Sequence, residues 1–131
     1  MRAAVTDTHA LLFHAGTRAL GPKAAAHFNA AERGEALIYV PIAVLIEVTF
    51  LHRAGRGGLK VAPAAFFNTL FLNPCYQAID LTAEQVFAAE ELRINRDPFD
   101  GLIAAAAVVL GLPLITRDGD ITASKAVKVI W

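Results

Sequence analysis

Cysteine is almost absent. Cys75 is the only one in 131 residues, so no disulfide can form within the chain, which suits a reducing compartment. An excess of one charge sign is missing too: Lys and Arg number 12, Asp and Glu 12. Whole-chain charge therefore gives no pointer to nucleic acid, and any polyanion site must be a local basic patch. No apolar run is long and unbroken enough to span a bilayer. The longest, residues 101–116, is interrupted by Gly111 and Pro113 and reads as a buried helix followed by a buried strand. At the N-terminus Asp7 intervenes before a long apolar region develops, so no secretory signal is visible. The expectation is a soluble, cytoplasmic protein that does not enter a membrane.

Other signatures are also lacking. His9, His14, His27 and His52 are scattered without metal-ligand spacing and read as surface or packing residues. Gly57-Gly58 is no phosphate loop, because no Lys-Ser/Thr follows and no strand leads into it. There is no internal repeat, linker or low-complexity stretch.

What is there is apolar, at 56% hydrophobic residues, enough for one domain over residues 1–131 with a sizeable core. Helix and strand signals alternate. Ala3 to Asp7 reads as a strand, His9–His14 as a helical turn and Pro22–Arg33 as an Ala-rich helix. Leu37–Val40 is a second strand rich in sheet-favouring residues. Pro41 is expected to open a helix through about Ala54, and the run from Gly55 to Gly58 is a turn. Pro63–Leu72 is a further helix, stopped by Asn73-Pro74. Its stripe of Phe66, Phe67, Leu70 and Phe71 packs in the core, or else meets a partner. Tyr76–Leu81 is a third strand. Thr82 caps the next helix, with Gln85 placed as a capping box requires, and that helix runs to about Arg93. Asp97 caps another, with Pro98 at its first position and Phe99, Leu102, Ile103, Ala106 and Leu110 as its buried face. Gly111 ends it and Pro113 prevents its resumption. Leu114–Thr116 and Val127–Trp131 are the fourth and fifth strands. This alternation predicts an α/β fold with a central parallel sheet of four to five strands covered on both faces.

In such sheets, sites form beyond the carboxyl ends of the strands, where strand order reverses. Asp7 and Asp118 sit at two such ends, and face each other if the first and fourth strands are neighbours there. Glu47 and Asp100 lie on helices. Each has an ordinary structural reading beside the functional one. Asp7 is a good N-cap, Glu47 has a solvent side available to it, Asp100 favours its helix dipole, and Asp118 belongs to an Asp-Gly turn. Asp97 reads first as a cap. Asp120 either supports the site or caps the short segment ending near Lys125. If the four acids meet, they must share protons or hold a cation, since two charges about 4 Å apart repel by roughly 4 kcal/mol at an effective dielectric of about 20. Oxygen-only ligands select a hard ion, Mg²⁺ or Mn²⁺.

Taken together, Asp7-Thr8-His9-Ala10-Leu11-Leu12, Glu47 after the second strand, the segment Asp97–Ala105 and Leu114-Ile115-Thr116-Arg117-Asp118 resemble the PIN domain, most of all the VapC type of toxin ribonuclease. The resemblance spans nearly the whole chain. It implies a PIN-like α/β/α sandwich whose acids, here Asp7, Glu47, Asp100 and Asp118, hold Mg²⁺ or Mn²⁺ and cleave RNA. Thr116 matches the hydroxyl beside the last acid. Thr8, Thr116, Asp97 and Asp120 are expected to orient water or the ligands. The resemblance further implies a homodimer and a small VapB-like antitoxin that blocks the site. The chain departs from many relatives in carrying Leu12-Phe13-His14 where a Trp is common, which bears on substrate and partner and leaves the acids in place.

An acidic pocket repels RNA, so cations must bring the strand in: Arg53, Arg56 and Lys60 near the glycine turn, and Arg93, Arg96 and Arg117 closer to the acids. Two rivals stand beside the endoribonuclease reading. One is a catalytically silent PIN-like module that binds RNA or protein. The other is a receiver-like phosphoryl-transfer domain, for which Lys125 and Lys128 follow Asp118 too closely.

Overall fold

The structure, a computed structural model, describes residues 1–16 and 18–131. Among these, five strands alternate with seven helices. The order is β1 (Arg2–Thr6), α1 (Thr8–Ala15), α2 (Pro22–Glu32), β2 (Ala36–Pro41), α3 (Ile42–Arg53), α4 (Pro63–Leu70), β3 (Tyr76–Ile79), α5 (Ala83–Leu92), α6 (Pro98–Leu110), β4 (Leu114–Ile115), α7 (Gly119–Ser124) and β5 (Val129–Ile130). All strands are parallel, in the order β3-β2-β1-β4-β5. With helices on both faces this is an α/β/α sandwich, as expected. Its central strands are buried on both sides, which is why they read as continuous apolar runs.

β1 is the pivot. Val5 pairs with Tyr39 of β2 on one side and with Leu114 of β4 on the other. Strand order therefore reverses between β1 and β4, as the carboxylate positions suggested. The ladder ends where the acids begin: the Asp7 amide donates to the Ile115 carbonyl at 3.1 Å.

Local chemistry explains the helix starts. Asp7 accepts from the Ala10 amide at 2.8 Å, Thr82 from Gln85 at 3.2 Å, Asp97 from Phe99 at 2.9 Å and Asp118 from Ile121 at 2.8 Å. All four are N-caps of the preferred types. Gly111 closes α6 at φ 68, a left-handed conformation that glycine adopts without steric penalty.

Several expectations need correction. Pro41 does not open α3; it is the last residue of β2, pairs with Ile79, and is the N-cap at φ −60, ψ 145. Asp120 is not the cap of the last short helix. Asp118 is, because the turn tightens immediately after Thr116. β3 stops at Ile79 and not Leu81, β4 at Ile115 and not Thr116, and β5 covers only Val129–Ile130 of the expected Val127–Trp131. α4 ends at Leu70 rather than Leu72. In α6, Leu110 is 42% exposed, whereas Ala104, Ala105, Ala106 and Ala107 are fully buried. The helix is enclosed along its middle by β1, α3 and α5, so burial follows small size there and not one apolar face. Phe67 is buried and Phe66, Leu70 and Phe71 pack against the same core, which settles that stripe as packing.

Candidate active site

The crevice at the C-terminal ends of β1 and β4 is built by two threonines and a set of carboxylates. Thr116 follows β4 and is fully buried. Its hydroxyl donates to Asp7 Oδ2 and accepts from the Asp118 amide at 3.0 Å. One side chain thus fixes the acids that end two neighbouring strands. Asp7 is only 8% exposed. Its other oxygen is committed to the Ala10 amide, so it meets two neutral donors and no paired cation. Burial pushes its carboxyl above the ordinary aspartate value. The bonds from Thr116 and Ala10 and the charge on His9 oppose that rise, and Asp100 adds to it.

Glu47 is carried in by α3 and is half-buried. Its carboxyl is also raised, first by burial and then by the charges on Asp97 and Asp7, while Thr8 and His9 work against this. Thr8 Oγ1 is itself buried with no hydrogen bond of ordinary geometry; it faces Glu47 without closing on it. Asp100, in the first turn of α6, is raised by burial and by Asp118, Asp97 and Glu47, against a bond from Asn95. Asp7, Glu47 and Asp100 are therefore within electrostatic reach of one another, and Asp118 is within reach of Asp100.

Asn95 carries a signal that sequence reading missed. Its amide nitrogen donates to Asp100 Oδ2 at 2.8 Å and to Asp120 Oδ2 at 3.0 Å, and its oxygen accepts from the Asp97 amide at 2.8 Å. One neutral side chain ties three acidic residues together and draws Asp120 to the rim. An Asn just before an Asp-Pro helix start looks like any loop residue, and its partner at position 120 is distant in sequence. His9 was also passed over. It is exposed, yet close enough to Asp7 and Glu47 to favour their charged forms.

The expected basic residues scatter. Arg56 and Lys60 lie together beside α1. Arg117 sits 4.9 Å from the Phe13 ring centroid, and Arg53 lies over Phe50 at 5.7 Å. Arg93 caps α5 and turns to Glu90 at 3.5 Å. Arg96 is exposed in the loop before α6.

Among the described residues, no three of His, Cys, Asp and Glu converge closely enough to form a ready-made metal shell. The donor set nevertheless fits a hard divalent ion, which typically keeps several waters and uses only one or two carboxylates. Mutually raised carboxyls lacking a cationic partner are what such an ion would relieve.

A doubly wound parallel sheet with acids at its switch point defines the class as an α/β protein with an acidic site at the carboxyl ends of its strands. The family follows from comparison. The PIN domain family model matches residues 4–126, and the chain belongs to the PIN domain family. Solved structures with the same fold include VapBC2 from Rickettsia felis bound to a promoter DNA fragment, at 16% identity and TM-score 0.68, covering 97% of this chain and 96% of that one. FitAcB from Neisseria gonorrhoeae aligns at 17% identity and TM-score 0.66, covering 96% and 95%. VapBC-5 from Mycobacterium tuberculosis, a toxin-antitoxin system, aligns at 20% identity and TM-score 0.59, covering 99% and 98%. A comparison with curated proteins found no match.

Proposed function

We propose that this PIN-domain chain is a VapC-type toxin, a metal-dependent endoribonuclease that cleaves RNA phosphodiesters. The observation that carries the reading is the crevice between β1 and β4, where Asp7, Glu47 and Asp100 are all held above their ordinary carboxylate values by burial and by neighbouring acids. Perturbed acids in a cleft are what active sites use.

Asp7 and Asp100 would hold Mg²⁺ or Mn²⁺, with Glu47 and Asp118 reaching it directly or through water. When bound, the ion supplies a more acidic water and offsets negative charge on the phosphate. The chain's own residues do the rest. Thr116 keeps Asp7 and Asp118 in register. Asn95 holds Asp100 and Asp120. Glu47 would accept a proton from the attacking water, burial having raised its carboxyl and made it a stronger base than an ordinary glutamate. Thr8, lacking a partner, orients that water. Products would carry 5′-phosphate and 3′-hydroxyl groups. Arg53, Arg56, Lys60, Arg93, Arg96 and Arg117 offer phosphate contacts at different distances from the crevice. The likeness to VapBC complexes supports a small VapB-like antitoxin as a partner of this chain, and the same reading makes the toxin a homodimer.

The test is cleavage of single-stranded RNA by purified protein freed of any antitoxin. Cleavage should stop with EDTA and return with Mn²⁺. Cleavage indifferent to chelation would reject the metal mechanism. No cleavage by protein that binds Mg²⁺ would leave a silent RNA- or protein-binding module.

A further inference from the structure

A groove of about 700 Å³ runs beside the crevice, between α1, the end of α3, the loop over residues 56–61 and Phe66 of α4. That volume is in the range of about 300–1,000 Å³ usual for ligand sites. Its charge is one-sided. His9, Arg18, Arg56 and Lys60 line it, and no Asp or Glu does. In a chain of zero net charge this is a local concentration of positive potential. Among the described residues no carboxylate pairs with Arg18, Arg56, Lys60 or Arg117, so their charge is available to a ligand.

The groove adjoins the acids through two helices. His9 borders both, and Leu51, one turn after Glu47 on α3, forms part of its apolar floor with Leu12 and Phe66. From His9 to Gly16 the α1 wall rises about 10 Å, a length suited to one or two nucleotides and too short for a duplex. Phe13 organises the cations. The Arg18 guanidinium lies 4.5 Å from its ring centroid and that of Arg117 4.9 Å, with Trp131 edge-on at 6.2 Å. Guanidiniums steadied on an aromatic ring are pre-oriented for phosphate.

We propose that this groove seats the single-stranded RNA adjoining the scissile phosphate, with one nucleobase against Leu12, Leu51 and Phe66 and the flanking phosphates on Arg18, Arg56 and Lys60. This rests on the ribonuclease reading of the neighbouring crevice. A positive groove with apolar and aromatic walls is the general design for single-strand binding, and an adjoining seat would position the bond to be broken.

The test measures binding of a fluorescein-labelled, mixed-sequence single-stranded RNA to the full chain in EDTA, over a range of salt, and cleavage of the same RNA in Mg²⁺. R18Q/R56Q/K60Q replaces exposed side chains and should fold. It is expected to bind about tenfold or more weakly, with the salt slope reduced by roughly 2, about 0.7 for each phosphate contact on a single strand. Ala15→Trp, which fills the groove from an exposed position without removing charge, should weaken binding with the slope unchanged. Arg2→Gln and Arg33→Gln, at the opposite end of the sheet, should alter neither. Groove-dependent binding without any cleavage would remove the nuclease reading and leave the groove standing. Unchanged RNA affinity and slope in the triple variant would overturn the proposal and give the groove to a protein segment instead.

Discussion

Asp7 serves two purposes that conflict. As an N-cap it stabilises α1; as a buried acid it opposes folding once ionised. A carboxyl raised in the fold favours the native state below its ordinary value of 3.8, and that contribution is lost as pH rises through the raised value. At neutral pH the metal-free crevice is therefore a weak point, shared with Glu47 and Asp100. Asp7→Asn should abolish divalent-dependent cleavage and raise the melting temperature of the metal-free protein at pH 7. Calorimetry in EDTA checks this, and a lower melting temperature in the variant would contradict it. Wild-type protein should gain about 2.7 kcal/mol when the ion is present at 100 times its dissociation constant, and the variant little. Asn95→Ala should lower kcat about tenfold, or about 1.4 kcal/mol of barrier, with a small effect on stability because Asn95 is exposed. Single-turnover rates would show it. Asp7 and Asp118 were legible because a strand-end acid announces itself in sequence. Asn95 and His9 were not, since their roles exist only once distant acids are brought beside them.

At the scale of elements, the caps were the most readable features. Thr82 and Asp97 were named from sequence and both bond as caps, because an N-cap is decided within four residues. Strand ends were less readable. The expected strands run on to Leu81 and Trp131, past β3 and β5, and pairing stops where the neighbouring strand does. α6 shows the same limit. Its alanines let the sheet and α5 approach closely; a side chain built on Gly101 would meet the Ala89 Cβ at 3.7 Å. Ala104→Leu should therefore destabilise the fold by about 1–3 kcal/mol through overpacking, read as a lower urea midpoint with unchanged m-value. Val108→Leu, on an exposed position of the same helix, should be close to neutral.

For the whole molecule, the two ends of the sheet differ in chemistry. Opposite the acids, His14, Glu32 and Tyr76 join α1, α2 and β3. Glu32 accepts from Tyr76 at 2.7 Å and lies 2.8 Å from His14 Nε2. The His14 bond, more than the Tyr76 bond, holds the Glu32 carboxyl below its ordinary 4.5, and burial raises the Tyr76 hydroxyl far above its ordinary 10.0. The signs follow: Glu32 contributes stability above about pH 4.5 that is lost as pH falls through its depressed value, and Tyr76 contributes stability below pH 10 that is lost above it. His27, buried and bonded to the Leu37 carbonyl at 3.1 Å, is lowered from 6.5 chiefly by burial, so stability should already begin to fall below that pH. The raised acids of the crevice act in the opposite direction over the same range, so the difference in urea midpoint between wild type and His27→Gln isolates this decline, and it should shrink as pH falls from 7 to 5. A difference between the two proteins that stays constant from pH 7 to 5 would exclude it.

The amino-acid order alone determined the alternation of elements, their caps, the parallel α/β class and the PIN resemblance, because each depends on periodicities and residue types within a few positions. No helix of the described chain is long and apolar enough to cross a membrane, again a local property. Tertiary structure alone decided which acids share a crevice, that Thr116 links Asp7 to Asp118, that Asn95 gathers Asp100 and Asp120, and that Arg18, Arg56 and Lys60 line one groove. Those relations join residues up to 109 positions apart. Desolvation and charge coupling act through space, so a carboxylate's chemistry is set only when strands β1 and β4 lie side by side.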